Sequence, residues 1–270
     1  MNDVNALRYC DISKGGNGSL ITPNAMVIVG QNSFAEGKVS IRDCVFDAGT
    51  GSGLFINDQS WVVNFSNNTF SNNAAFAITL TTENLNDLNS NTIFSGNGKN
   101  YVEIRDCVTP EGESQTIIKL SIPYYLQQQA ILYGNAVINP GVEFVHTANG
   151  FLATQDFNLT ATSLNVMGTA SQPVIFRGEN GTSWKGIIIR SLGNTDFSYA
   201  EVRDGGVSPN VYGQQAGIII ENGSSTVSIR DCVIDNSGGW GIDLGGGQGY
   251  NSDIATANTF TNCAWGAVNY

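Results

Sequence analysis

The side chains of this chain that could do chemistry are mostly acidic and aromatic residues in its last forty positions. Asp231 and Asp235 are carboxylates four residues apart, and carboxylate oxygens are the ligands that calcium prefers. We consider these two as candidate metal ligands, with calcium as the one cofactor that the sequence suggests. The other candidates are rings that could stack on sugars and carboxylates that could accept hydrogen bonds from hydroxyl groups. These candidate ligand-binding residues are Trp240, Trp265, Tyr250, Asp243 and Asp253.

The acidic residues could instead belong to an enzyme that degrades an acidic polysaccharide. A polysaccharide lyase needs a cation that neutralises the substrate and a base, and Arg230 stands next to Asp231. However, Asp43 and Asp47 hold equivalent positions in an earlier stretch of the chain, and a recurring Asp is typical of turns. We therefore expect no catalysis, and we keep a polysaccharide lyase or related carbohydrate-active enzyme as the alternative.

His146 is the only histidine, so any Ser-His-Asp or histidine-dependent mechanism would depend on it. Its surroundings, Phe-Val-His-Thr, lack the Gly-His-Gly motif that is familiar from polygalacturonases. We predict that His146 is an outward-facing strand residue.

The composition indicates many short strands joined by tight turns. Hydrophobic residues make up 41% of the 270 residues, charged residues only 13%, and there are 32 glycines. The net charge of −11 without any run of Lys or Arg argues against nucleic-acid binding. No apolar stretch is long enough for a transmembrane helix, so we expect no membrane insertion. The first residues lack the pattern of a signal peptide, so we expect that the signal of an exported protein lies outside this chain or was removed from it.

The five cysteines are widely spaced, and their odd number does not suggest a disulfide framework. No Cys-x-x-Cys spacing of a zinc site is present. We predict that they are small, buried, apolar residues. The set consists of Cys10, Cys44, Cys107, Cys232 and Cys263.

A short repeat predicts the fold. Phe46, Phe70 and Phe94 lie 24 residues apart, and so do Ile218 and Ile242. A period near 24 with alternating inward and outward residues is one turn, or rung, of a solenoid with three short strands. We therefore predict an all-β protein that folds as a single-stranded right-handed parallel β-helix.

Polar residues recur at one bend of this predicted solenoid. Asp43, Asn67 and Asn91 fall at matching positions of three successive rungs. Stacked amides and carboxylates can hydrogen-bond along the solenoid axis, so we interpret the three residues as a structural ladder.

The sequence also contains a longer repeat, which comprises several of the short repeats. Residues 1–80 resemble residues 190–270, and the motif Ile-Arg-Asp-Cys-Val occurs near the equivalent places 41–45 and 229–233. We predict one continuous β-helix over residues 1–270, with a possible boundary between repeat units near residues 117–121. Equivalent residues of the two copies would then lie far apart along the axis.

The middle of the chain resembles a known group of proteins. The segments that carry the resemblance are Pro-Tyr-Tyr-Leu at 123–126, Asn-Pro-Gly-Val at 139–142, the stretch 168–176 and Trp-Lys-Gly-Ile at 184–187. Over about residues 120–245 they are similar to exported bacterial right-handed parallel β-helix repeat proteins of the pectate-lyase-like solenoid superfamily. The resemblance implies an extracellular or cell-surface location, and it makes Trp184 part of the fold motif.

These observations lead to three hypotheses about function. The first is an extracellular, non-catalytic module for adhesion or carbohydrate recognition, whose partner is a polysaccharide or a cell-surface glycan. Trp240 and Trp265 favour it, because earlier rungs have Ser52 and Ala75 at these places. The second is the lyase, and the third is a structural spacer of a longer surface protein. End-to-end self-association is also expected, since open solenoid ends present unpaired strand edges.

Overall fold

The computed structural model describes residues 5–16, 24–30, 37–105, 114–155, 163–190, 193–209, 213–221, 226–245 and 249–270. Two compact units divide the chain: unit 1 comprises Met1–Thr109 and Leu120–Tyr125, and unit 2 comprises Pro110–Lys119 and Leu126–Tyr270. Nothing in this division tests the predicted continuity of residues 1–270 or the predicted boundary near 117–121, and both stay predictions. Cys107 lies outside the described residues.

Twenty-nine short strands make up the described structure, with two 3₁₀ segments at Thr82–Asp87 and Glu179–Gly181. The first strands are β1 (Asn5–Arg8), β2 (Asp11–Ser13), β3 (Ala25–Val29), β4 (Gly37–Arg42), β5 (Val45–Asp47), β6 (Ser52–Ile56), β7 (Ser60–Ser66), β8 (Thr69–Ser71), β9 (Phe76–Thr81), β10 (Ile93–Ser95), β11 (Lys99–Arg105), β12 (Gln115–Ile117), β13 (Tyr124–Leu126) and β14 (Gln129–Tyr133). The others are β15 (Ala136–Ile138), β16 (Glu143–His146), β17 (Phe151–Gln155), β18 (Leu164–Met167), β19 (Val174–Gly178), β20 (Ile187–Arg190), β21 (Thr195–Ser198), β22 (Ala200–Arg203), β23 (Ala216–Ile220), β24 (Thr226–Arg230), β25 (Val233–Asp235), β26 (Trp240–Leu244), β27 (Gly249–Tyr250), β28 (Thr259–Thr261) and β29 (Gly266–Asn269).

Unit 1 is a parallel β-helix, as predicted. Its strands form sheet A (β1–β4–β7), sheet B (β2–β5–β8–β10) and sheet C (β3–β6–β9–β11). The chain visits the three sheets in turn, and each strand pairs in parallel with its counterpart one rung later, for example β4 with β7. Each rung thereby satisfies the backbone donors and acceptors of its neighbours.

Unit 2 is built in the same way. Its strands form sheet D (β12–β15–β18–β21–β24–β27), sheet E (β14–β17–β20–β23–β26–β29) and sheet F (β16–β19–β22–β25–β28). The order of visits is D, F, E from β15 onward, and the pairs are again parallel.

The rung length is 24 residues between Val45 and Thr69 in unit 1 and between Ile218 and Ile242 in unit 2, and it differs in other rungs. The bond between Asn67 and Asp43 spans 24 residues, whereas the bond between Ala200 and Cys232 spans 32. Loops at the corners absorb the difference, because a longer surface loop costs little extra closure entropy once the strands on either side still pair.

Aromatic stacks fill the interior, as the 24-residue spacing predicts. The rings of Phe46 and Phe70 are 4.5 Å apart with planes 4° from parallel, and Phe94 follows Phe70 at 5.8 Å. In unit 2 the rings of Phe144 and Phe176 stack at 5.1 Å. All five side chains are buried. Identical spacing in sequence thus becomes a column of rings, which buries a large apolar area per rung.

The bends explain why Asp, Asn and Gly recur in the sequence. Along the corner between sheets A and B, Tyr9, Asp43 and Asn67 all have φ between 53° and 56°. The next corner repeats the conformation at Lys14, Ala48, Asn72 and Gly96. Asn and Asp tolerate this left-handed region better than most residues, and Gly adopts it without strain.

The predicted polar ladder forms over two of its three members. Asn67 Nδ2 donates to Asp43 Oδ1 at 3.1 Å. The expectation for Asn91 is wrong: it lies in a turn, where its backbone N–H donates to Asn89 Oδ1 at 2.8 Å. The physical reason is that the 3₁₀ segment Thr82–Asp87 replaces a sheet A strand in this rung, so the bend is not repeated.

The cysteine prediction holds for the interior rungs only. Cys44 and Cys232 are buried, whereas Cys10 and Cys263 are partly exposed, and all four thiols are free. Cys10 belongs to the first described rung of unit 1 and Cys263 to the last rung of unit 2. Among the described residues, each therefore has a neighbouring rung on one side only.

Candidate functional site

Strand β29 organises the residues that the sequence analysis selects. Gly266 pairs with Trp240 of the preceding rung. The φ of Gly266 is +131°, and a Cβ atom there would lie 2.7 Å from Cζ3 of Trp240. Only glycine lets the indole lie directly over the backbone of β29. The rest of the Trp240 ring packs against an apolar cluster that includes Ile219, so Trp240 is half-buried.

Three aromatic side chains near β29 are exposed. Trp265 is 52% exposed, Tyr270 64% and Tyr250 41%. The rings of Tyr250 and Tyr270 are 5.6 Å apart, with planes that meet at 44°. We call Trp240, Trp265, Tyr250 and Tyr270 the aromatic surface. Exposed aromatic side chains concentrated on one rung are unusual for a solvent-facing surface and mark a place where a partner could bind.

Tyr270 is a residue that the sequence analysis missed. The 26-residue interval from Ile242 to Val268 places Tyr270 one rung after Leu244, at an inward position. That interval could have drawn attention to Tyr270 in the sequence, but an inward position predicts a buried side chain rather than an exposed one. Tyr270 is exposed because no rung of the described structure covers it.

The two predicted ligand-binding carboxylates differ in exposure. Asp243 is only 4% exposed, and its Oδ1 accepts hydrogen bonds from Gln214 Nε2 at 3.3 Å and from Asn269 Nδ2 at 3.2 Å. The side chain of Asp253 is 44% exposed. Asp243 therefore holds β29 through Asn269, whereas Asp253 is accessible to solvent.

Asp253 is held as an anion. Asn251 Nδ2 donates to its Oδ1 at 2.9 Å, and Arg230 Nη1 lies 2.5 Å from its Oδ2. These two hydrogen bonds, that of Asn251 first, lower the pKa of Asp253 below its usual range. Tyr250, whose ring is exposed, directly precedes Asn251 in the chain.

Of the two candidate metal ligands, Asp231 lies at a bend and Asp235 ends strand β25. Asp231 has φ 55° and is exposed, which is the geometry of a turn residue. Asp235 Oδ1 accepts hydrogen bonds from Thr261 Oγ1 at 2.6 Å and Asn262 Nδ2 at 3.1 Å. In the part of the chain that the structure describes, no three acidic, histidine or cysteine side chains come together as a metal site.

The same contacts recur in unit 1, which supports a structural role for these acids. Asp47 Oδ1 accepts from Ser71 Oγ at 2.6 Å and from Asn72 Nδ2 at 2.8 Å. These bonds lower the pKa of Asp47, with the Ser71 hydroxyl as the larger cause. Because a carboxylate accepts hydrogen bonds from the next bend in both units, we assign these acids a structural role.

The prediction for His146 is wrong. Its side chain points inward, is 0% exposed and stacks on the indole of Trp184 at 3.8 Å with an 11° angle between the planes. His146 shares its inward direction with Phe144, two residues earlier on β16, because strand side chains alternate. Burial lowers the pKa of His146 to about 3, so the ring is neutral and inaccessible at neutral pH.

Trp184 is a core residue, as its place in the fold motif predicts. It is 0% exposed, and its Nε1 donates to the carbonyl oxygen of Arg203 at 2.7 Å. The hydrogen bond satisfies the one polar atom of the indole, which makes complete burial of the side chain possible.

Several arginines of unit 2 are in ion pairs. The pairs are Arg177 with Glu143, Arg190 with Glu221, Arg203 with Glu201, and Arg230 with Asp253. An arginine engaged in this way is poorly placed to act as the base of a lyase, because its charge and donors are already used.

The comparisons with known proteins give no match: no family model, no curated protein and no solved structure is similar to this chain. The fold and the aromatic surface therefore rest on the sequence pattern and the geometry alone. Among the described residues, no helix has the length and apolar character needed to cross a membrane.

Proposed function

We propose that this protein is a non-catalytic carbohydrate-recognition or adhesion module that binds glycan through the aromatic surface of unit 2. The observation that carries the proposal is the exposure of Trp265, Tyr250 and Tyr270 on the rung formed by β27, β28 and β29. Exposed aromatic rings offer flat apolar faces to the C–H bonds of sugars, and their desolvation provides much of the affinity.

The polar neighbours of Tyr250 complement its ring. Asp253 accepts and Arg230 donates hydrogen bonds, and each still has polar atoms at the solvent-exposed edge of their ion pair. Sugar hydroxyl groups both donate and accept, so a carboxylate beside a guanidinium matches them. The 44° angle between Tyr250 and Tyr270 suits two successive sugar rings of a twisted chain better than one flat platform.

The charge of the protein favours neutral or amino-bearing glycans. The chain carries a net charge of −11, and the carboxylate of Asp253 is ionised at neutral pH. A polyuronate would approach against this field, whereas a neutral or cationic sugar would not.

A lyase is less well supported by the arrangement of residues. Arg230 is paired with Asp253, and His146 is enclosed in the core. The extracellular or cell-surface location that we propose rests on the resemblance of residues 120–245 to exported β-helix proteins.

Glycan binding can be tested with a glycan array followed by titration of the best ligand. We expect Tyr250→Ala and Trp265→Ala each to weaken binding by about tenfold or more, since a lost stacking contact costs about 1.4 kcal/mol or more. Tyr9→Ala is the matched control, because Tyr9 is 83% exposed but lies in unit 1. It should leave the dissociation constant unchanged.

Two outcomes would contradict the proposal. Release of unsaturated oligosaccharide from an acidic polysaccharide, with or without calcium, would show a lyase instead. A folded protein that binds no glycan, neutral, cationic or acidic, would favour the structural spacer.

A further inference from the structure

Two cysteines of unit 1 face each other on neighbouring rungs. The register places Arg8 opposite Arg42 and Asp11 opposite Val45, so Cys10 and Cys44 occupy matching places at the same corner. The backbone N–H of Val45 donates to the carbonyl oxygen of Cys10 at 2.8 Å, which holds the two corners together.

The two thiols also have the same orientation. Cys10 Sγ donates to the carbonyl oxygen of Arg8 at 3.4 Å, and Cys44 Sγ donates to that of Arg42 at 3.1 Å. Each thiol thus folds back onto the residue two positions earlier, and the two sulfur atoms are stacked along the solenoid axis. Burial raises the pKa of the Cys44 thiol, and the neighbouring Cys10 thiol raises it further.

Cys44 is fixed from its other side by Asn68. The backbone N–H of Cys44 donates to Asn68 Oδ1 at 3.1 Å, and Asn68 Nδ2 donates to the carbonyl oxygen of Ile41 at 3.0 Å. Asn68 is completely buried. The corner that carries Cys44 is therefore rigid.

We propose that Cys10 and Cys44 form an inter-rung disulfide when the protein meets a low-molecular-weight disulfide. Neighbouring strands lie about 4.8 Å apart, which is within the range of Cα separations, about 4.4 to 6.8 Å, that a disulfide bridges. The bond would tie the rung of β1 and β2 covalently to the rung of β4 and β5. The proposal is independent of glycan binding.

The exchange begins at Cys10. Cys10 is partly exposed, whereas Cys44 is buried and its burial raises the pKa of its thiol. The Cys10 thiolate attacks one sulfur of the external disulfide, forms a mixed disulfide and releases one external thiol. Cys44 then gives up its proton, attacks Cys10 Sγ and displaces the second external thiol. Two protein thiols are oxidised, and one external disulfide is reduced to two thiols.

Unit 2 contains a natural control for this pair. Cys232 is as deeply buried as Cys44, donates to the carbonyl oxygen of Arg230 at 3.1 Å and is held by Asn258 in the same manner. The place that corresponds to Cys10 is taken by Ala200, whose N–H lies 3.4 Å from Cys232 Sγ. Cys232 therefore has the same environment without a partner thiol.

The test is to treat the reduced full-length protein with oxidised glutathione and to analyse it by mass spectrometry before and after non-reducing digestion. We expect the loss of two hydrogen atoms and one cross-linked peptide that joins Cys10 to Cys44, while Cys232 stays reduced. In Cys44→Ser, Cys10 should stop at the glutathione adduct. In Cys10→Ser, Cys44 should stay unmodified.

A second measurement does not depend on the variants. Hydrogen exchange of the oxidised wild-type protein should slow at the amides of β1 and β2 by on the order of 100-fold relative to the reduced protein. The proposal is overturned if wild-type Cys10 stays as a glutathione adduct, if both cysteines stay reduced, or if Cys44 links to another cysteine.

Discussion

His146 shows how the alternation of a strand can carry a polar side chain into the core. It is fully buried against Trp184, and among the described residues neither of its ring nitrogens has a hydrogen-bond partner. A buried imidazole without partners disfavours the protonated form, because desolvation of the charge is not compensated. Since His146 is the only histidine, this effect acts on its own between pH 5 and pH 8.

We expect the stability of the protein to fall with acidification because of His146. The folded-state pKa is about 3, below the ordinary value of 6.5, so the unfolded chain takes up the proton first. The contribution of neutral His146 to the free energy of unfolding is complete above pH 6.5. It is lost as the pH falls toward 3, by about 1.4 kcal/mol per pH unit. Denaturant unfolding at a series of pH values measures this slope.

His146→Phe is the control, because a phenyl ring keeps the stacking on Trp184 and does not titrate. Carboxylates contribute to acid unfolding in both proteins, so the informative quantity is the difference between wild type and variant. If the free energies of unfolding of wild type and variant change in parallel between pH 6.5 and pH 4.5, His146 is not buried in its neutral form.

At the scale of the element, buried asparagines hold successive bends together. Asn73 is 0% exposed, and its Oδ1 accepts from the backbone N–H of Gly49 at 3.0 Å. Its Nδ2 donates to the carbonyl oxygen of Phe46 at 3.2 Å and to Asn97 Oδ1 at 2.9 Å. One amide therefore satisfies the polar groups of the rung before it and joins the rung after it.

Asn73→Ala should lower the free energy of unfolding by about 2 to 3 kcal/mol, because it leaves buried backbone groups of Gly49 and Phe46 without partners. Asn91→Ala is the comparison, since Asn91 is exposed and lies in a turn. It should change the stability by less than about 0.5 kcal/mol. Equal effects of the two substitutions in urea unfolding would contradict the role that we assign to Asn73.

Alanine is an unfavourable residue type for the bend at Ala48. Substitution by glycine is therefore expected to change stability in opposite directions at Ala48 and at an alanine in a strand. The φ of Ala48 is 57°, a region in which alanine is strained by about 1 kcal/mol. Ala48→Gly should therefore leave the protein as stable as wild type or more stable, by up to about 1 kcal/mol. Ala77→Gly, in the buried strand β9, should destabilise it. If both substitutions destabilise the protein equally in thermal unfolding, the left-handed conformation at Ala48 is wrong.

At the scale of the whole molecule, each rung is covered only by its neighbours, so protection should vary along a unit. The residues of β1 and β2 are exposed or half-exposed, and so are those of β28 and β29, whereas β6 and β9 are buried throughout. Stability in a solenoid is close to a sum of rung and interface contributions.

Hydrogen exchange should reveal this gradient. We expect the amides of β1, β2, β28 and β29 to exchange on the order of 100-fold faster than those of β6 and β9. Hydrogen-exchange mass spectrometry of the full chain at neutral pH measures the rates. Uniform protection from the first to the last strand would mean that the rungs unfold as one cooperative block.

Much of the fold was predictable because its information is local and repeated. The spacing of Phe46, Phe70 and Phe94 predicted a column of stacked rings, and the structure confirms it. The failure at Asn91 arose where a 3₁₀ segment replaces a strand, which a repeat-based alignment does not reveal. Of the candidate site, exposed Trp265 and Tyr250 could be named from the sequence, but Tyr270 could not.

The sequence by itself determined the repeat, the alternation of inward and outward side chains, and hence the solenoid. The reason is that side chains of a strand alternate between its two faces, so the spacing of a residue in the sequence predicts the face on which it lies. Only the tertiary structure decided how deeply each position is buried and which surface residues meet. His146 is enclosed by Trp184, which lies 38 residues later in the chain, and Asp253 is held by Arg230 from the preceding rung. Such contacts depend on the register between rungs and on the loops between strands. The repeat in the sequence does not determine either of these.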